Sequence, residues 1–510
     1  MKFNLQNLTA IESKTDLLLV PVFEEDLAAG SCPDWLRKLD VSLEGNLLTA
    51  AKSEGFSAKS EQTFTIHTHH KIAAGQVALL GLGKKNRFKE EDLRMVSGRA
   101  AKLAQKMRVA QPVMVLQSVS VDRPIEPLLK AAAEGFVLGS YRFDRYRSSA
   151  EDKNKIELKN VLFLLPDAVK RTAQLSAAVQ LGQTIATATT WARDLVNEPA
   201  GVMTPTRLAN EAEMMAKSAG LQFLIGGLKE IQKLKMGMFL GVTQGSVEPP
   251  RLIHLWYTPK NAKAAQAPPL ALIGKAITFD SGGLSLKTAE GMVDMKTDMA
   301  GSAAVLGAMK VIAELKPNFP VHAFMGACEN MPSGNAYRPG DVLISRLGKT
   351  VEITNTDAEG RLVLGDILTW ANEHKPAAMI DLATLTGACM VALGHYIVGA
   401  FGENDALMGE VLSAAEKAGE HFWRLPVTEL QKDALHSEIA DMKNAGERWA
   451  GATNAALFLK EFVGQTPWVH LDIAGPSQSP KDRGYFIKGA TGVGVRTLVE
   501  LVRQRMQASN

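Results

Sequence analysis

The feature that most constrains the fold is an alternation of two apolar patterns in the second part of the chain. Residues 271–279, 321–327 and 377–385 are apolar runs of strand length, whereas residues 299–315 and 361–374 repeat apolar positions at helical spacing. Strands that alternate with helices are typical of a mainly parallel sheet covered by helices. The sequence therefore predicts an α/β fold.

The first part of the chain shows a similar alternation, and a helix is predicted between the two parts. At 510 residues, 46% hydrophobic and 22% charged, the chain has enough material for two hydrophobic cores. We expect two domains, each with a mainly parallel or mixed sheet covered by helices. Strand-like segments of the first part lie at residues 16–22, 77–81 and 161–165. The predicted bounds are 1–170 for the N-terminal α/β domain, 171–194 for a linker helix and 195–510 for the larger C-terminal domain.

A lysine, Lys275, interrupts the apolar run 271–279. Lysine is rarely buried unless it is paired, and burial or nearby cations favour the neutral amine, which can bind a metal. The run ends in Asp280, followed by a serine and two glycines that permit unusual backbone angles. Because α/β proteins place ligands at the carboxyl ends of strands, Asp280 is a candidate site residue.

Asp298 precedes a segment in which Val305, Met309 and Ile312 recur at helical spacing. Aspartate is a preferred residue at the start of a helix, so capping is one interpretation of Asp298. A role in a site together with the neighbouring carboxylates is the other interpretation, and position alone leaves both open.

The segment 355–362 reads Asn-Thr-Asp-Ala-Glu-Gly-Arg-Leu and follows a strand-like stretch, residues 351–354. Asp357 and Glu359 alternate beside a glycine and the permanent cation Arg361. Two carboxylates at this spacing, leaving the end of a strand, can both point into one cleft.

A calcium loop of the EF-hand type is an alternative interpretation of this segment. That loop needs a bidentate glutamate at its last position and a helix before it, whereas Asp366 stands at the last position and a strand precedes. The fit is therefore poor, although the earlier positions are matched by Asn355, Asp357, Glu359 and Gly360.

Four carboxylates and one potentially neutral amine together balance the charge of two divalent cations. Ligands that are mostly oxygen suit Mn²⁺, Mg²⁺ or Zn²⁺, and the lack of nearby Cys or His argues against a structural zinc site. The candidate metal ligands are Lys275, Asp280, Asp298, Asp357 and Glu359.

In order and spacing, these segments resemble the signature motifs of the leucyl aminopeptidases, two-metal exopeptidases of the cytosol. Four linked motifs over about ninety residues are far more specific than one short pattern. The motifs are residues 274–283, Lys287, residues 295–299 and residues 355–362. Further similar segments, at 191–200, 203–206, 381–388 and 470–475, extend the resemblance over roughly residues 190–500. No such motif precedes residue 180, so the N-terminal region is assigned by position alone.

The resemblance implies a metallo-aminopeptidase that releases N-terminal residues, preferably Leu and other apolar ones, from short peptides. Two divalent ions, Mn or Zn, would activate a water near neutral pH and clamp the reacting oxygens. One ion would be held by Asp280, Asp357 and Glu359. The other would be held by Lys275, Asp280, Asp298 and Glu359, so Asp280 and Glu359 would bridge the pair.

The resemblance also implies two catalytic and two substrate-binding residues. Lys287 would stabilise the charge that develops on the substrate carbonyl oxygen. Arg361 stays protonated, but its planar guanidinium can hold a bicarbonate that acts as general base. Met295 and Thr384 would bind the substrate, with residues around Ala490 completing the pocket wall. For Met295, ordinary core packing is an equally good interpretation.

Other sequence features predict a cytoplasmic protein without a membrane partner. The first residues lack the apolar core of a signal peptide, and the longest apolar stretch, residues 382–394, is too short to span a bilayer. The cysteines, Cys32, Cys328 and Cys389, have neither a disulfide framework nor metal spacing. The family resemblance further implies a homohexamer.

Two short patterns near the start of the chain are given structural interpretations. His67, His69 and His70 could bind a metal, but a solvated strand edge is favoured because no acidic partner supports them. The segment 81–83, Gly-Leu-Gly, lacks the third glycine of a dinucleotide fingerprint and is interpreted as a turn.

Residues 71–108 hold ten Lys or Arg against three acidic residues, although the net charge of the whole chain is only +3. A solvated helix face is the favoured interpretation of this charge. Clustered cations are also typical of phosphate binding, and some bacterial members of the resembled family act as DNA-binding regulators. DNA binding is therefore a secondary hypothesis.

Overall fold

The computed structural model of the protein describes residues 1–28, 30–119, 124–148, 156–166 and 168–508. It contains two compact units. Unit 1 consists of Met1–Thr190 and Lys481–Ile487, and unit 2 consists of Trp191–Pro480 and Lys488–Asn510. A helix, Ala173–Asn197, runs through the predicted linker, and the division between the units falls inside it. The predicted domain bounds, 1–170, 171–194 and 195–510, stay a proposal.

Among the described residues of unit 1, six strands form one sheet in the order β1-β6-β5-β2-β4-β3. All neighbouring pairs are parallel except β3 with β4, so the sheet ends in an antiparallel edge strand. The strands are β1 Lys2–Gln6, β2 Thr15–Val22, β3 Thr63–His67, β4 Ala74–Gly81, β5 Val113–Val115 and β6 Asn160–Leu164.

Both faces of the sheet in unit 1 are buried, because successive side chains of a strand point to opposite faces. Leu17 and Leu19 of β2 belong to one buried cluster, and Leu18 and Val20 belong to another. Helices Glu90–Lys106 and Ile125–Gly139 contribute to the first cluster, and helices Asp34–Ser42 and Asn46–Ser53 contribute to the second.

Unit 2 carries the remaining strands. They are β7 Gln222–Gly226, β8 Arg251–Tyr257, β9 Leu270–Gly274, β10 Ala276–Asp280, β11 Val321–Asn330, β12 Val342–Ile344, β13 Thr350–Glu352, β14 Ala378–Ala383, β15 Ile397–Phe401, β16 His421–Arg424, β17 Met442–Lys443, β18 Trp468–Asp472, β19 Gln478–Ser479 and β20 Gly489–Ala490. The main sheet has the order β16-β15-β18-β14-β9-β11-β8-β7, with β10 paired to β11. Its centre, β18-β14-β9-β11, is parallel. Small sheets are formed by β12-β13-β17 and by β19-β20.

Helices connect the strands of unit 2 and cover the main sheet. They are Pro205–Ala219, Leu228–Lys233, Gly237–Thr243, Ala262–Ala265, Ala289–Met292, Ala300–Leu315, Glu359–Glu373, Gly387–Leu393, Asp405–Ala418, Gly451–Lys460 and Val495–Ala508. The prediction of two sheets covered by helices is confirmed. None of the described helices is both long and apolar enough to cross a membrane.

Two helices lie on opposite faces at the centre of the main sheet. Helix Ala300–Leu315 packs over β9 and β14, and Gly301 allows the close approach, since a Cβ there would lie 2.0 Å from a carbonyl oxygen of β14. Helix Glu359–Glu373 packs on the other face, where its Ile367 shares a buried cluster with Ile273 of β9. The two helices begin near the same edge of the sheet, so their first turns can contribute to one site.

The predicted strand 271–279 is two strands in the structure, with Lys275 between β9 and β10. The Lys275 backbone N–H donates to Leu382 of β14, and its carbonyl accepts from the Ser302 N–H at the start of the covering helix. Because the Lys275 carbonyl turns to the helix, the regular ladder stops at this residue and resumes at Ala276.

A buried carboxylate ties helix Glu359–Glu373 to its neighbours. Asp366 is fully buried, its Oδ2 accepts from the Phe239 backbone N–H at 2.9 Å, and its Oδ1 accepts from the Arg346 backbone N–H at 2.7 Å. Burial raises the pKa of this carboxyl to about 7. The two backbone donors have this side chain as their acceptor, so its loss leaves buried N–H groups without partners.

We therefore expect Asp366→Ala to lower the free energy of unfolding by about 2–6 kcal/mol, because each of the two buried unpaired donors costs about 1–3 kcal/mol. Asp405→Ala is the matched control, since Asp405 is exposed and pairs with Arg424 at 2.7 Å. Its cost should stay below about 1 kcal/mol. Urea unfolding followed by tryptophan fluorescence measures both. Equal midpoints for the two variants would contradict the structural role of Asp366.

Candidate metal centre

The candidate site lies where strands of the main sheet end. Asp280 is the last residue of β10, Asn330 the last of β11 and Asp472 the last of β18, while Thr384 follows the end of β14. Parallel strands bring their carboxyl ends to one edge, which is where α/β folds place their ligand sites. Asp280, Asn330 and Asp472 are buried at this edge.

Lys275 connects two of the predicted ligands. Its Nζ lies 2.8 Å from Asp298 Oδ2 and 3.0 Å from Glu359 Oε1, and it donates to the Thr384 carbonyl oxygen at 3.0 Å. Burial disfavours the charge of Lys275, but the carboxylates of Asp298 and Glu359 outweigh burial and raise the pKa of the ammonium group. Lys275 is therefore a cation in this arrangement, and binding a metal through its nitrogen would require the loss of a proton.

Helix Glu359–Glu373 approaches Lys275 through a glycine. A Cβ on Gly360 would lie 2.4 Å from Lys275 Cε and 2.6 Å from its Nζ. A side chain at this position would displace the ammonium group from Asp298 and Glu359. Gly360 is therefore required by the close approach of the lysine.

Lys287 connects the other two predicted ligands. Its Nζ lies 2.9 Å from Asp280 Oδ2 and also pairs with Asp357 Oδ1. Burial lowers the pKa of Lys287, but Asp280 and Glu359 outweigh burial, and the net pKa is raised. Lys287 thus stays charged beside the carboxylates.

Hydrogen bonds orient the Asp280 carboxylate. Its Oδ1 accepts from the Gly282 N–H and from Asn330 Nδ2, each at 2.8 Å. Gly282 has φ +86°, a conformation that favours glycine, and a Cβ there would lie 2.5 Å from the Ser285 carbonyl oxygen. The other carboxylate oxygen, Asp280 Oδ2, therefore remains free to pair with Lys287.

A short 3-10 helix, Thr356–Ala358, places Asp357 and Glu359. The Asn355 side chain accepts from the Asp357 N–H at 2.9 Å. Thr356 Oγ1 donates to the Gly282 carbonyl at 2.7 Å and so joins this segment to the loop after β10. Glu359 begins the following helix. The carboxylates of Asp357 and Glu359 therefore come from two consecutive helical turns and lie on the same side of the site.

The four carboxylates of Asp280, Asp298, Asp357 and Glu359, called the carboxylate cluster below, carry more negative charge than Lys275 and Lys287 compensate. Burial raises the pKa of Asp280 to about 6, with a further contribution from Glu359. Burial also raises the pKa values of Asp298 and Asp357. For Glu359, burial is outweighed by Lys275 and Lys287, and its pKa is lowered. A divalent cation would stabilise the ionised form of the carboxyl groups whose pKa is raised.

The donor atoms fit a divalent cation. Oxygens of Asp280, Asp357 and Glu359 lie within 4.8 Å of one another. Glu359 Oε2 is buried and accepts no hydrogen bond from any residue that the structure describes. A buried carboxylate oxygen without a donor is costly unless a cation takes that place, so this observation supports a metal site.

Arg361 lies in the first turn of helix Glu359–Glu373 and is buried. Its Nη1 donates to the Asn444 carbonyl at 2.9 Å, whereas its Nε has no hydrogen-bond partner among the described residues. Burial lowers the pKa of Arg361 to about 10, partly opposed by Glu359 and Asp472. The guanidinium therefore stays charged at neutral pH and has an N–H group available for an anion.

The predicted substrate-binding residues lie around this cluster. Thr384 Oγ1 donates to Asp298 Oδ1 at 2.7 Å. Met295 is half-buried and begins a 3-10 helix, Met295–Thr297. Asn197 connects this 3-10 helix with Ala490. The Asn197 carbonyl accepts from Lys296 Nζ at 2.6 Å, and its Oδ1 accepts from the Ala490 N–H at 3.1 Å.

The structure decides between the alternative interpretations of Asp298, of the segment 355–366 and of His67. Asp298 does not cap the helix Ala300–Leu315, because its carboxylate contacts Lys275 and Thr384 instead. The calcium-loop interpretation fails because Asp366 accepts from backbone N–H groups elsewhere in the core. His67 lies exposed on the edge strand β3, as predicted.

Sequence reasoning missed three buried residues that support the site. Asn330 orients Asp280, Asn444 accepts from Arg361, and Asp472 accepts from Thr386 Oγ1 at 2.7 Å and from the Leu385 N–H at 3.2 Å. Asp472 lies in the segment 470–475, which carries part of the family resemblance, and Asn330 lies three residues after the predicted strand 321–327. Those positions were the available signals, whereas no local pattern marks Asn444.

Comparison with known proteins yields matches over almost the whole chain. The model of the cytosol aminopeptidase family matches its catalytic domain to residues 190–499 and its N-terminal domain to residues 19–150. A probable cytosol aminopeptidase of Alkaliphilus metalliredigens is 43% identical over 503 residues, 99% of each chain. One of Aquifex aeolicus is 42% identical over 484 residues, 94% of each chain.

Solved structures give the same result. A mutant of tomato leucine aminopeptidase has a TM-score of 0.90 and 36% identity, over 99% of this chain and 96% of the other. The bottromycin maturation enzyme BotP in complex with Mn has a TM-score of 0.84 and 33% identity, over 96% of this chain and 100% of the other.

The close approach of Gly360 to Lys275 leads to a test of the metal centre. We expect Gly360→Ala to weaken divalent-metal binding by about tenfold or more while the chain stays folded, because supporting groups of metal sites contribute about 10- to 100-fold. Gly409→Ala is the matched control, since a Cβ on this other helical glycine meets nothing within 4 Å. Elemental analysis after dialysis and circular dichroism measure both. Unchanged metal content in Gly360→Ala would contradict the proposed arrangement.

Proposed function

Because the chain belongs to the cytosol aminopeptidase family and is a metal-dependent aminopeptidase, we propose that this cluster releases N-terminal residues, preferably Leu and other apolar ones, from short peptides. The observation that carries the proposal is the convergence of four carboxylates and two lysines at one edge of the main sheet. The tomato neighbour, a leucine aminopeptidase by name, supports the preference for Leu.

Two divalent ions, Mn or Zn, would be held by the five predicted ligands. Asp280, Asp357 and Glu359 would bind one ion, and Lys275, Asp280, Asp298 and Glu359 would bind the other. When bound, such ions supply Lewis acidity, which lowers the pKa of water and polarises a carbonyl group. The neighbour that was solved with Mn supports this metal without deciding between the two.

Lys287 would stabilise the charge that develops on the substrate carbonyl oxygen. Its ammonium group lies at the rim of the carboxylate cluster, where Asp280 and Asp357 keep it protonated. A fixed cation placed beside the reacting carbonyl acts like the donor of an oxyanion hole. Neutralising the carboxylates with metal would release Lys287 to interact with substrate.

Arg361 would hold a bicarbonate, which would supply a base for the proton of the attacking water and pass that proton to the leaving amine. The guanidinium cannot accept a proton at neutral pH, since its pKa is about 10. Its Nε–H is buried without a partner among the described residues, and a planar oxyanion can accept from it. Bicarbonate bound there would lie beside Glu359, two residues earlier in the same helix.

The carboxylate excess of the cluster explains a preference for a free N-terminus. A substrate α-amino group can bind a metal as the neutral amine, or pair with a carboxylate while charged. An internal peptide bond offers neither interaction. The site would therefore act as an exopeptidase.

The first side chain of the substrate would meet Met295, Thr384 and the wall around Ala490. Met295 is flexible and only half-buried, so it can adapt to different apolar side chains. One methylene group changes discrimination by only about 1–3 kcal/mol, so the preference among apolar residues should be broad.

DNA binding through residues 71–108 stays a prediction from charge alone. Part of that charge is used inside unit 1. Arg94 is buried and contacts Glu134 at 2.5 Å, and Lys102 donates to the Phe486 carbonyl at 2.8 Å. Assembly as a homohexamer stays a prediction from the family, and a cytoplasmic location stays a prediction from the sequence.

Hydrolysis of leucine p-nitroanilide tests the proposed exopeptidase. We expect activity to fall after removal of metal, to return with Mn²⁺ or Zn²⁺, and to be at least about 100-fold lower on the N-acetylated substrate. Glu359→Gln should be inactive, whereas Glu373→Gln, at the exposed end of the same helix, should keep activity. Equal hydrolysis of the two substrates would contradict a site that requires a free amine.

The bicarbonate role of Arg361 is tested by Arg361→Lys, which keeps the charge but removes the planar fork. We expect kcat to fall by about 100-fold or more, with metal content unchanged, because a positioned base contributes about 10²–10⁴. Bicarbonate added to bicarbonate-free buffer should stimulate the unchanged enzyme and the exposed control Arg338→Lys. If Arg361→Lys responds to bicarbonate as strongly as the control, the anion does not act at Arg361.

A further inference from the structure

Three histidines of unit 2 meet away from the carboxylate cluster. His254 lies on β8, His322 on the neighbouring β11, and His374 directly after helix Glu359–Glu373. Nitrogen atoms of the three rings lie within 4.8 Å of one another. His254 Nε2 and His322 Nδ1 are 3.1 Å apart. No local sequence pattern marks any of the three.

We propose that His254, His322 and His374 form a further metal site of unit 2, for a divalent cation that prefers imidazole nitrogen, such as Zn²⁺, Ni²⁺ or Cu²⁺. This chemistry differs from that of the carboxylate cluster, whose oxygen ligands also suit Mn²⁺. We call the three residues the histidine site.

The spacing of the rings suits such an ion. Two nitrogens bound to one Zn²⁺ at about 2.0–2.1 Å with tetrahedral angles lie about 3.3 Å apart. The His254 and His322 nitrogens, at 3.1 Å, are already close to that spacing. His374 is exposed and follows the end of its helix, so its ring can turn toward the other two.

The three imidazoles favour the neutral form, which is the form that binds metal. Burial, with a contribution from His322 and His374, lowers the pKa of His254 to about 2. Burial, with a contribution from His374, lowers the pKa of His322 to about 4. The pKa of His374 is also lowered, because its neighbours partly shield the ring from water although the residue as a whole is exposed, and Glu373 opposes this shift. A metal ion would therefore not compete with protons at neutral pH.

Aromatic side chains hold the buried histidine in place. The His254 ring stacks on Phe324 with centroids 4.2 Å apart and on Trp256 at 4.6 Å, and Trp370 packs edge-on at 5.4 Å. His254 is buried, His322 is half-buried and His374 is exposed, so the group opens to solvent at His374. The exposed side provides an entry path and room for a water as a further ligand.

The histidine site and the carboxylate cluster lie at opposite ends of shared elements. His322 is the second residue of β11 and Asn330 is its last, a separation of about 26 Å at about 3.3 Å per residue. Helix Glu359–Glu373 likewise begins with Glu359 and is followed by His374. An ion at the histidine site would thus join β8 and β11 to the far end of the helix that carries Glu359 and Arg361.

The test uses the full chain loaded with Mn²⁺ and then dialysed against Ni²⁺ as the probe. We expect the unchanged chain to bind one Ni²⁺ more than His374→Asn, since exchange of Ni²⁺ for Mn²⁺ at the carboxylate cluster is common to both, and to show a higher thermal midpoint in Ni²⁺. Because His374 is exposed, His374→Asn should fold normally and bind Ni²⁺ at least tenfold more weakly, without the thermal rise. The control His436→Ala removes an exposed imidazole of the same unit and should behave like the unchanged chain.

Nitrogen coordination provides a second readout. Cu²⁺ added to the Mn²⁺-free chain should show nitrogen hyperfine splitting in its electron paramagnetic resonance spectrum, and His374→Asn should lose part of that splitting. Equal Ni²⁺ binding by the unchanged chain and by His374→Asn, with equal thermal midpoints, would overturn the proposal. The three rings would then be a hydrogen-bonded aromatic cluster only.

Discussion

The convergence of four carboxylates in one cluster, three of them buried, is the constraint on which the rest of unit 2 depends. Such groups repel one another and lose hydration, which raises the pKa values of Asp280, Asp298 and Asp357. Lys275 and Lys287 offset part of this repulsion by direct pairing. Two ammonium groups against four carboxylates leave an excess of negative charge that divalent cations can neutralise. The chemistry proposed for the site follows from this excess, because the same cations would polarise a peptide carbonyl.

The packing around the cluster serves to bring these charges close together. Gly301 lets a helix lie against β14, and Gly360 lets another helix approach Lys275. The site is therefore formed by backbone elements in contact rather than by long side chains reaching across a cleft. This arrangement holds Lys275, Asp298 and Glu359 in one geometry, as a preorganised site requires.

Helix Glu359–Glu373 connects the proposed chemistry to the proposed histidine site. Its first turn carries Glu359 and Arg361, Asp366 fixes its middle to neighbouring backbone, and His374 follows its end. Asp366 restrains movement of the helix as a whole. An ion at the histidine site would restrain the far end of the same helix as well. It would thus help to hold Glu359 and Arg361 in the position that the carboxylate cluster requires.

The sequence by itself determined the α/β class and the residue types of the carboxylate cluster, because strand and helix periodicities and the signature spacing are local properties. It predicted one strand where the structure has two, since the turn of the Lys275 carbonyl depends on contact with a helix remote in sequence. Only the tertiary structure decided that Asn330, Asn444 and Asp472 support the site. It also brought together His254, His322 and His374, because the pairing of β8 with β11 and the packing of a later helix are set by long-range burial rather than by any local pattern.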